Sequence, residues 1–491
     1  MRLANSSLAD LPGDVPGPTY DRSSVVPGIM HFGVGGFHRA HQAMYVDRLL
    51  SAGGARDWGI CGVGTLESDE RMNRVMQDQD GLYTLVLKHP DGTLEPRVIG
   101  SIVEYLYAPG DPAAVVERLA DPKIRIASLT VTEGGYNIDQ ITGEFQSDAP
   151  AILADLEPGA LPRTVFGMIT AGLELRRRRG IEPFTVMSCD NIPGNGDVAR
   201  RAFSTFARLR DPELADWIVE SVHFPNSMVD RITPVTTDED RALVRERWGI
   251  DDEWPVVAEP FAQWVLEDSF GLGRPAYDEA GVQVVDDVMP YELMKLRLLN
   301  VGHQGIAYFG VLAGYTYAHD AARDPRLIAL LEHYWADEAR PTLGPVPGVD
   351  LDAYTAELLE RFGNEHIRDT LARLAAESSD RIPNWLVPVI VQHTDDGGAV
   401  PASAAIVASW ARYDEGVLDD GRSIEIVDRL ATSRHAAALA QREDPLAFVR
   451  DASLFGDLAE RPQFVAPYRE ALDALHNGGV DAALRRFVSP E

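Results

Sequence analysis

Between Tyr291 and His303 the chain reads Tyr291-Glu292-Leu293-Met294-Lys295-Leu296-Arg297-Leu298-Leu299-Asn300-Val301-Gly302-His303. At roughly 100° per residue, Glu292, Lys295, Asn300 and His303 fall within an arc of about 140° on one side of a helix. Leucine, methionine and valine occupy nearly all the remaining directions, which predicts a buried helix. A buried polar stripe is costly unless its groups are satisfied or line a cavity, and the line of a substrate cavity is the reading preferred here. A structural Glu292–Lys295 pair, with Asn300 and His303 bonded to loops, is the alternative. The chemistry these four types support together is oxidation of a secondary alcohol. That reaction needs a base for the O–H proton, donors for the developing alkoxide and a cofactor to take the hydride. A desolvated lysine loses basicity, so Lys295 suits the base. Asn300 suits an amide donor, His303 a hydroxyl-orienting group, and Glu292 a relay that passes the proton outward.

A hydride acceptor must be held elsewhere. Ile29-Met30-His31-Phe32-Gly33-Val34-Gly35-Gly36-Phe37-His38 places Gly33, Gly35, Gly36 and Phe37 between an expected strand and an expected helix. Glycines there permit a tight turn and close approach of a dinucleotide pyrophosphate to the helix N-terminus. The match to the full G-x-G-x-x-G fingerprint is partial, because His38 stands at its last position. The second expected strand ends in Gly62-Val63-Gly64 and is followed by Glu67 and Asp69. Either acid suits the adenosine ribose and repels a 2′-phosphate, which favours NAD over NADP. His38 and His41 are read as packing around the turn; no carboxylate or thiol lies within a turn of them to complete a metal set. A second asparagine, Asn191, lies in Ser188-Cys189-Asp190-Asn191-Ile192-Pro193-Gly194-Asn195-Gly196, just past a strand end, where open α/β sheets bind their ligands.

The elements that position these residues follow from periodicity. Short apolar runs at residues 28–32, 58–63, 83–88, 124–130 and 184–188 alternate with amphipathic segments such as 39–52, the pattern of β-α units around a parallel sheet. From residue 287 onward, long helical patterns dominate (292–313, 325–336, 351–362, 367–376 and 402–413). The expected fold is therefore α/β: a Rossmann-type N-terminal domain over residues 1–286 and a mainly helical substrate-binding domain over 287–491. The basic run Arg176 to Arg179 before Gly180 reads as the last turn of a helix.

The 491 residues carry a net charge of −31, which disfavours nucleic-acid and anionic-membrane partners. Two cysteines, Cys61 and Cys189, exclude a disulfide framework or cysteine-rich zinc site. No apolar run approaches the ~18 residues of a membrane span, and the first residues lack a signal-peptide core, so the expected location is cytoplasmic. Long helices with a charged surface are compatible with a monomer.

The glycine-rich turn with Arg39-Ala40-His41-Gln42, the Ser188–Gly196 stretch and the Lys295/Asn300/His303 spacing occur together. So do Asn226-Ser227-Met228-Val229-Asp230-Arg231-Ile232-Thr233-Pro234 and Glu259-Pro260-Phe261-Ala262-Gln263-Trp264. This set resembles the polyol-specific long-chain dehydrogenases over most of the chain, from about Gly28 to the C-terminal helices. The resemblance implies a metal-free, NAD-dependent interconversion of a linear polyol and its ketose, mannitol and fructose being the nearest pair. It makes Lys295 the general base and Asn191 and Asn300 the amides on the alkoxide oxygen. His303 and Asp230 become substrate-orienting residues, Glu292 a proton relay, and Arg373 a contact to the polyol chain. Arg381 stands where the family usually has lysine, a change of donor geometry that bears on chain length or distal hydroxyl configuration.

Three other readings stand beside this one, of which the first fails on context. Tyr291-x-x-x-Lys295 also satisfies the tyrosine-base pattern of short-chain dehydrogenases, but those chains are about half this length and carry the pair in another context. Arg373 and Arg381 would suit the carboxylate of a fructuronate or tagaturonate reductase of the same family. Pro345-Val346-Pro347-Gly348-Val349-Asp350-Leu351 lies closer to the mannitol-oxidising members. A non-catalytic NAD(H) sensor would retain the fold without needing Lys295, Asn191, Asn300 and His303 intact.

Overall fold

Near-continuous apolar runs form strands that are buried on both faces, as a parallel sheet requires. In the computed structural model, which describes residues 1–131, 133–138 and 144–488, the strands are β1 (Pro27–Phe32), β2 (Gly59–Gly64), β3 (Tyr83–Lys88), β4 (Leu94–Ile99), β5 (Ile102–Tyr107), β6 (Ile126–Leu129), β7 (Thr185–Ser188), β8 (Ser227–Asp230), β9 (Val256–Ala258), β10 (Gln263–Glu267) and β11 (Gln283–Val285). Five of them make a parallel sheet in the order β5-β2-β1-β6-β7. Successive residues of β1 point to opposite layers. Met30 and Phe32 pack with Val63, Leu129 and the Val165–Arg179 and Asn195–Arg210 helices, whereas Ile29 packs with Ile60 and the Gln42–Ser51 helix. The N-terminal domain is thus an open α/β sheet with helices on both faces, and the chain's two compact units are Met1–Val288 and Met289–Glu491.

Three details depart from the expectation. Residues 83–88 form a strand, but outside the main sheet: β3 pairs antiparallel with β4 and parallel with β9. The fifth strand of the main sheet is β5, whose Glu104, Tyr105 and Tyr107 hide the apolar run because it lies at the sheet edge. The helix expected over 39–52 is two, Gly36–Ala40 and Gln42–Ser51, interrupted at His41 with φ −123° and ψ −95°. The arginine-rich end of Val165–Arg179 is a last turn closed by Gly180 at φ +67°. Its Arg176 is buried and donates to the carbonyls of Asp121, Ile124 and Glu182.

The C-terminal unit is helical. Leu351–Phe362 matches the expectation residue for residue, and Pro401–Tyr413 is buried along its length. The helix expected over 367–376 shortens to Leu371–Ala375, because Arg368 is left-handed at φ +51° and Thr370 Oγ1 caps Arg373 N–H at 3.3 Å. The helix expected over 292–313 runs as an α-segment Met289–Met294, a π-segment Lys295–Asn300 and an α-segment Val301–Leu312. A second π-turn, Tyr334–Ala339, follows the Pro325–His333 helix.

Glu338 in that second π-turn is fully buried. Its carboxylate accepts the N–H groups of Ala402 (2.6 Å) and Ser403 (2.8 Å) and the Ser403 hydroxyl, capping the Pro401–Tyr413 helix. Burial outweighs these donors and pushes its pKa up to about 7. An acid whose folded pKa exceeds its unfolded value holds a proton that the unfolded chain has lost, so it stabilises the fold at low pH and loses that contribution as pH rises through about 7. We expect stability to fall between pH 5 and pH 8, by up to about 3 kcal/mol from this site. Thermal unfolding of wild type and Glu338→Gln across this range checks it: the variant should lose most of the slope, and an equal slope in both would refute the assignment.

Candidate functional site

The π-segment changes the geometry of the polar stripe. Its hydrogen bonds run i→i+5, as in Val301 N–H to the Leu296 carbonyl, so residues five apart align on one face. Lys295 and Asn300 are such a pair, and both are buried, as are Glu292 and His303. The widened turn is held from the neighbouring π-turn: Tyr334 Oη donates to the Arg297 carbonyl and Trp335 Nε1 to the Leu298 carbonyl, each at 2.9 Å. Arg297, on another side of the helix, is committed to the Thr342 carbonyl (2.7 Å) and Gln392 Oε1 (2.9 Å).

Asn300 differs from Arg297. Only 4% of it is exposed, yet its Nδ2 has no hydrogen-bond acceptor. A buried donor left without a partner carries its full desolvation cost, which makes it a place for a ligand oxygen. His303 packs its ring on Phe362 at 4.1 Å. Burial, then the cations of Arg373, Arg361, Lys295 and Arg381, hold His303 well below the usual imidazole range, so it is neutral at physiological pH.

Arg373 and Arg381 therefore share His303's surroundings. Arg373 is exposed and forms an ion pair with Asp369, with Nε 2.6 Å from Oδ1. Arg381 donates to the Leu374 carbonyl at 2.9 Å and lies over the Trp385 ring. The same carbonyl accepts Gln304 Nε2 at 2.9 Å, which ties this arginine segment to the Val301–Leu312 helix. Arg361 is the member of this group that sequence reasoning missed; as a last-turn cation of Leu351–Phe362 it looks like ordinary dipole compensation. Tyr291 Oη donates to the Pro347 carbonyl at 2.9 Å.

In the N-terminal unit, Gly33 has φ +91°, and a Cβ there would lie 2.2 Å from the Thr130 carbonyl oxygen, so the first turn glycine is obligatory. Its carbonyl accepts Thr130 Oγ1 (2.7 Å) and Gly35 N–H (2.8 Å). His31 stands beneath, with Nε2 2.8 Å from Thr130 Oγ1 and Nδ1 2.8 Å from Ser128 Oγ. Gly35 caps the Gly36–Ala40 helix, while a Cβ at Gly36 would make only ordinary contact with Thr233. Phe37 stacks on His41, and His38 on His31 at 3.4 Å. Burial lowers the pKa of all three histidines far below the usual range. Among the described residues no group of three or more His, Cys, Asp or Glu is arranged to hold a metal ion.

After β2, Asp69 Oδ2 accepts the N–H groups of Thr65 (2.8 Å) and Leu66 (2.9 Å), which orders the turn; Glu67 is exposed. Asn191 lies in the loop leaving β7, and Asp230, buried, ends β8 opposite Gln263. No helix among the described residues is long and apolar enough to cross a membrane.

Comparison with known proteins identifies the family. The family model for the mannitol dehydrogenase Rossmann domain matches residues 27–279, and that for the mannitol dehydrogenase C-terminal domain matches residues 287–476. Mannitol dehydrogenase 2 of Saccharomyces cerevisiae is 44% identical over 99% of this chain and 97% of its own. A mannitol 2-dehydrogenase of Phaeosphaeria nodorum is 43% identical over 99% of this chain and 86% of its own. Among solved structures, Pseudomonas fluorescens mannitol 2-dehydrogenase in ternary complex with NAD and D-mannitol superposes with a TM-score of 0.93 at 44% identity, covering 99% of both chains. A substrate-free D-sorbitol dehydrogenase superposes at 0.89 with 38% identity, over 99% of this chain and 100% of its own. The expected kinship with polyol-specific long-chain dehydrogenases is borne out, and with both domain models and full-length relatives in agreement, the chain belongs to the mannitol dehydrogenase family.

Proposed function

We propose that this protein is an NAD-dependent, metal-independent polyol dehydrogenase that oxidises mannitol to fructose and runs the reverse reduction with NADH. The observation that carries the reading is the buried, unpartnered amide nitrogen of Asn300, one π-turn from Lys295 on the same helix face. Residues 1–286 bind the cofactor, with the backbone of Gly33, Gly35 and Gly36 and the ring of Phe37 at the pyrophosphate turn. Held there, NAD would supply the hydride-accepting chemistry for the carbinol carbon. Lys295 accepts the hydroxyl proton, and Glu292 passes it outward. Asn191 and Asn300 donate to the oxygen as its charge develops. Neutral His303 and Asp230 orient hydroxyls, and Arg373 and Arg381 contact the far end of the chain. The protein's place of action is the cytoplasm, and its charged helical surface is compatible with a monomer.

The cations around His303 keep a sugar-acid substrate, fructuronate or tagaturonate, in view as a second reading. Against it stands the pairing of Arg373 with Asp369, which offsets the positive charge a carboxylate would need while leaving N–H donors for a hydroxyl. A purely cofactor-binding sensor would leave the Lys295 and Asn300 face without use.

Chelator-treated protein should oxidise NADH with fructose and far more slowly with fructuronate. Lys295→Ala should lose roughly 10²–10⁴-fold in kcat, while Tyr291→Phe retains most activity. Turnover on fructuronate alone would replace the substrate assignment, and loss of turnover on chelation would end the metal-independent mechanism.

With Asp69 holding the turn, exposed Glu67 is the acid that contacts the adenosine ribose. Glu67→Lys should raise kcat/KM with NADPH relative to NADH by at least about tenfold, given the worth of one charge-assisted contact. An unchanged cofactor ratio would reassign that role to Asp69.

Because His303 is neutral across the working range, His303→Asn should lower kcat/KM for fructose without altering the shape of its pH profile between pH 6 and 8. A limb of the profile that vanishes with the histidine would show that it titrates there.

A further inference from the structure

One buried side chain joins the segments that carry Asn191 and Asp230. Asn195, 0% exposed, opens the Asn195–Arg210 helix behind Gly194, which is left-handed at φ +58°. Its Nδ2 donates to the Asp190 carbonyl at 2.9 Å and the Ser227 carbonyl at 2.7 Å, and its Oδ1 accepts the Ser227 N–H at 2.9 Å. The first of these groups belongs to the peptide that leads into Asn191; the other two belong to the residue that opens β8, the strand ending at Asp230.

The seam around Asn195 is closely fitted. Ser227 Oγ donates to the Ser188 carbonyl at 2.7 Å, and Asn226 Oδ1 accepts the Gly196 N–H at 2.9 Å. A Cβ on Gly196 would lie 2.6 Å from the carbonyl oxygens of Phe224 and Pro225, so the first turn of the helix sits directly on that backbone. The loop from Asp190 to Gly194 has no strand or helix of its own to fix it. An apolar residue at position 195 would leave two carbonyls and one N–H unsatisfied in the interior, so the amide is required there for a reason beyond helix capping.

We infer that Asn195 is a positioning residue for the reaction: it sets the spacing between Asn191 and Asp230 and so holds the Asn191 amide at the place where the substrate oxygen must lie. Asn195 itself does not touch substrate. The inference rests on the assignment of Asn191 as an oxyanion donor.

The test is a double-mutant cycle on fructose reduction with wild type, Asn191→Ala, Asn195→Ala and the double variant, with NADH affinity and thermal midpoint measured for each. Asn195→Ala should lose roughly 10–100-fold in kcat, the scale on which small displacements of a reacting group act, with NADH affinity unchanged. The double variant should be no slower than Asn191→Ala, because the two residues act as one unit. Should Asn195→Ala fail to fold, Asn195→Ser, which keeps one hydroxyl for the seam, takes its place in the cycle. Losses that multiply in the double variant, or a folded position-195 variant with wild-type kcat, would overturn the inference. Wild-type turnover by Asn191→Ala would instead remove the donor assignment beneath it.

Discussion

The C-terminal unit depends on keeping one polar face of an apolar helix buried without collapse of the backbone that carries it. Glu292, Lys295, Asn300 and His303 all lie inside, and an isolated buried charge or amide would cost several kcal/mol. The i→i+5 turn from Lys295 to Asn300 is the local answer, since it aligns the lysine with the asparagine. That turn has an external brace in Tyr334 and Trp335, whose side chains bond its carbonyls from a second π-turn. The second π-turn is fixed in its own way, through Glu338 at the head of the buried Pro401–Tyr413 helix. A chain of hydrogen bonds thus runs from the unit's central helix to the polar stripe, and side chains far from the stripe govern its geometry.

The N-terminal unit solves a related problem with backbone. A pyrophosphate needs main-chain N–H groups presented at short range, and side chains would obstruct it. Gly33, at the turn proposed for this role, takes a conformation closed to other residues, against Thr130. The buried His31, Ser128 and Thr130 then hold the turn from below. Because all three turn histidines are buried and held neutral, this support does not change over physiological pH. In each unit, hydrogen-bonded side chains support the backbone of the residues to which a role in the chemistry is proposed, as preorganised catalysis requires.

What was legible in the sequence is what local pattern encodes. Strands β1, β2, β6 and β7 are continuous apolar runs because both faces are covered, and Leu351–Phe362 carries its own Asp350 cap. Edge strand β5 was hidden by its half-exposed polar residues, and β3 was legible as a strand but not as a member of another sheet, since pairing is decided by distant segments. The π-turn could not be read from spacing, because the donors that stabilise it lie over thirty residues away in Tyr334 and Trp335. The types and burial of Lys295, Asn300 and His303 were legible, since a polar stripe in an apolar helix is a local signal. Arg361 and Asn195 were not, as each imitates a routine helix-end residue.

Two polar residues on the same helix are buried in different ways. Arg297 and Asn300 are both inside, both within the π-turn, and both carry N–H donors. The arginine is satisfied by Thr342 and Gln392, as a side chain retained for architecture should be. The asparagine amide is not, and an unpaired buried donor carries a desolvation cost that a ligand oxygen can recover. An oxygen that is present only when substrate is bound removes that cost, and more completely as the oxygen gains negative charge, since a donor–oxyanion bond is about twice as strong as its neutral counterpart. In the proposed reaction the orphaned nitrogen would therefore favour the transition state over the bound alcohol, and the side chains that brace the π-turn support the backbone that carries it.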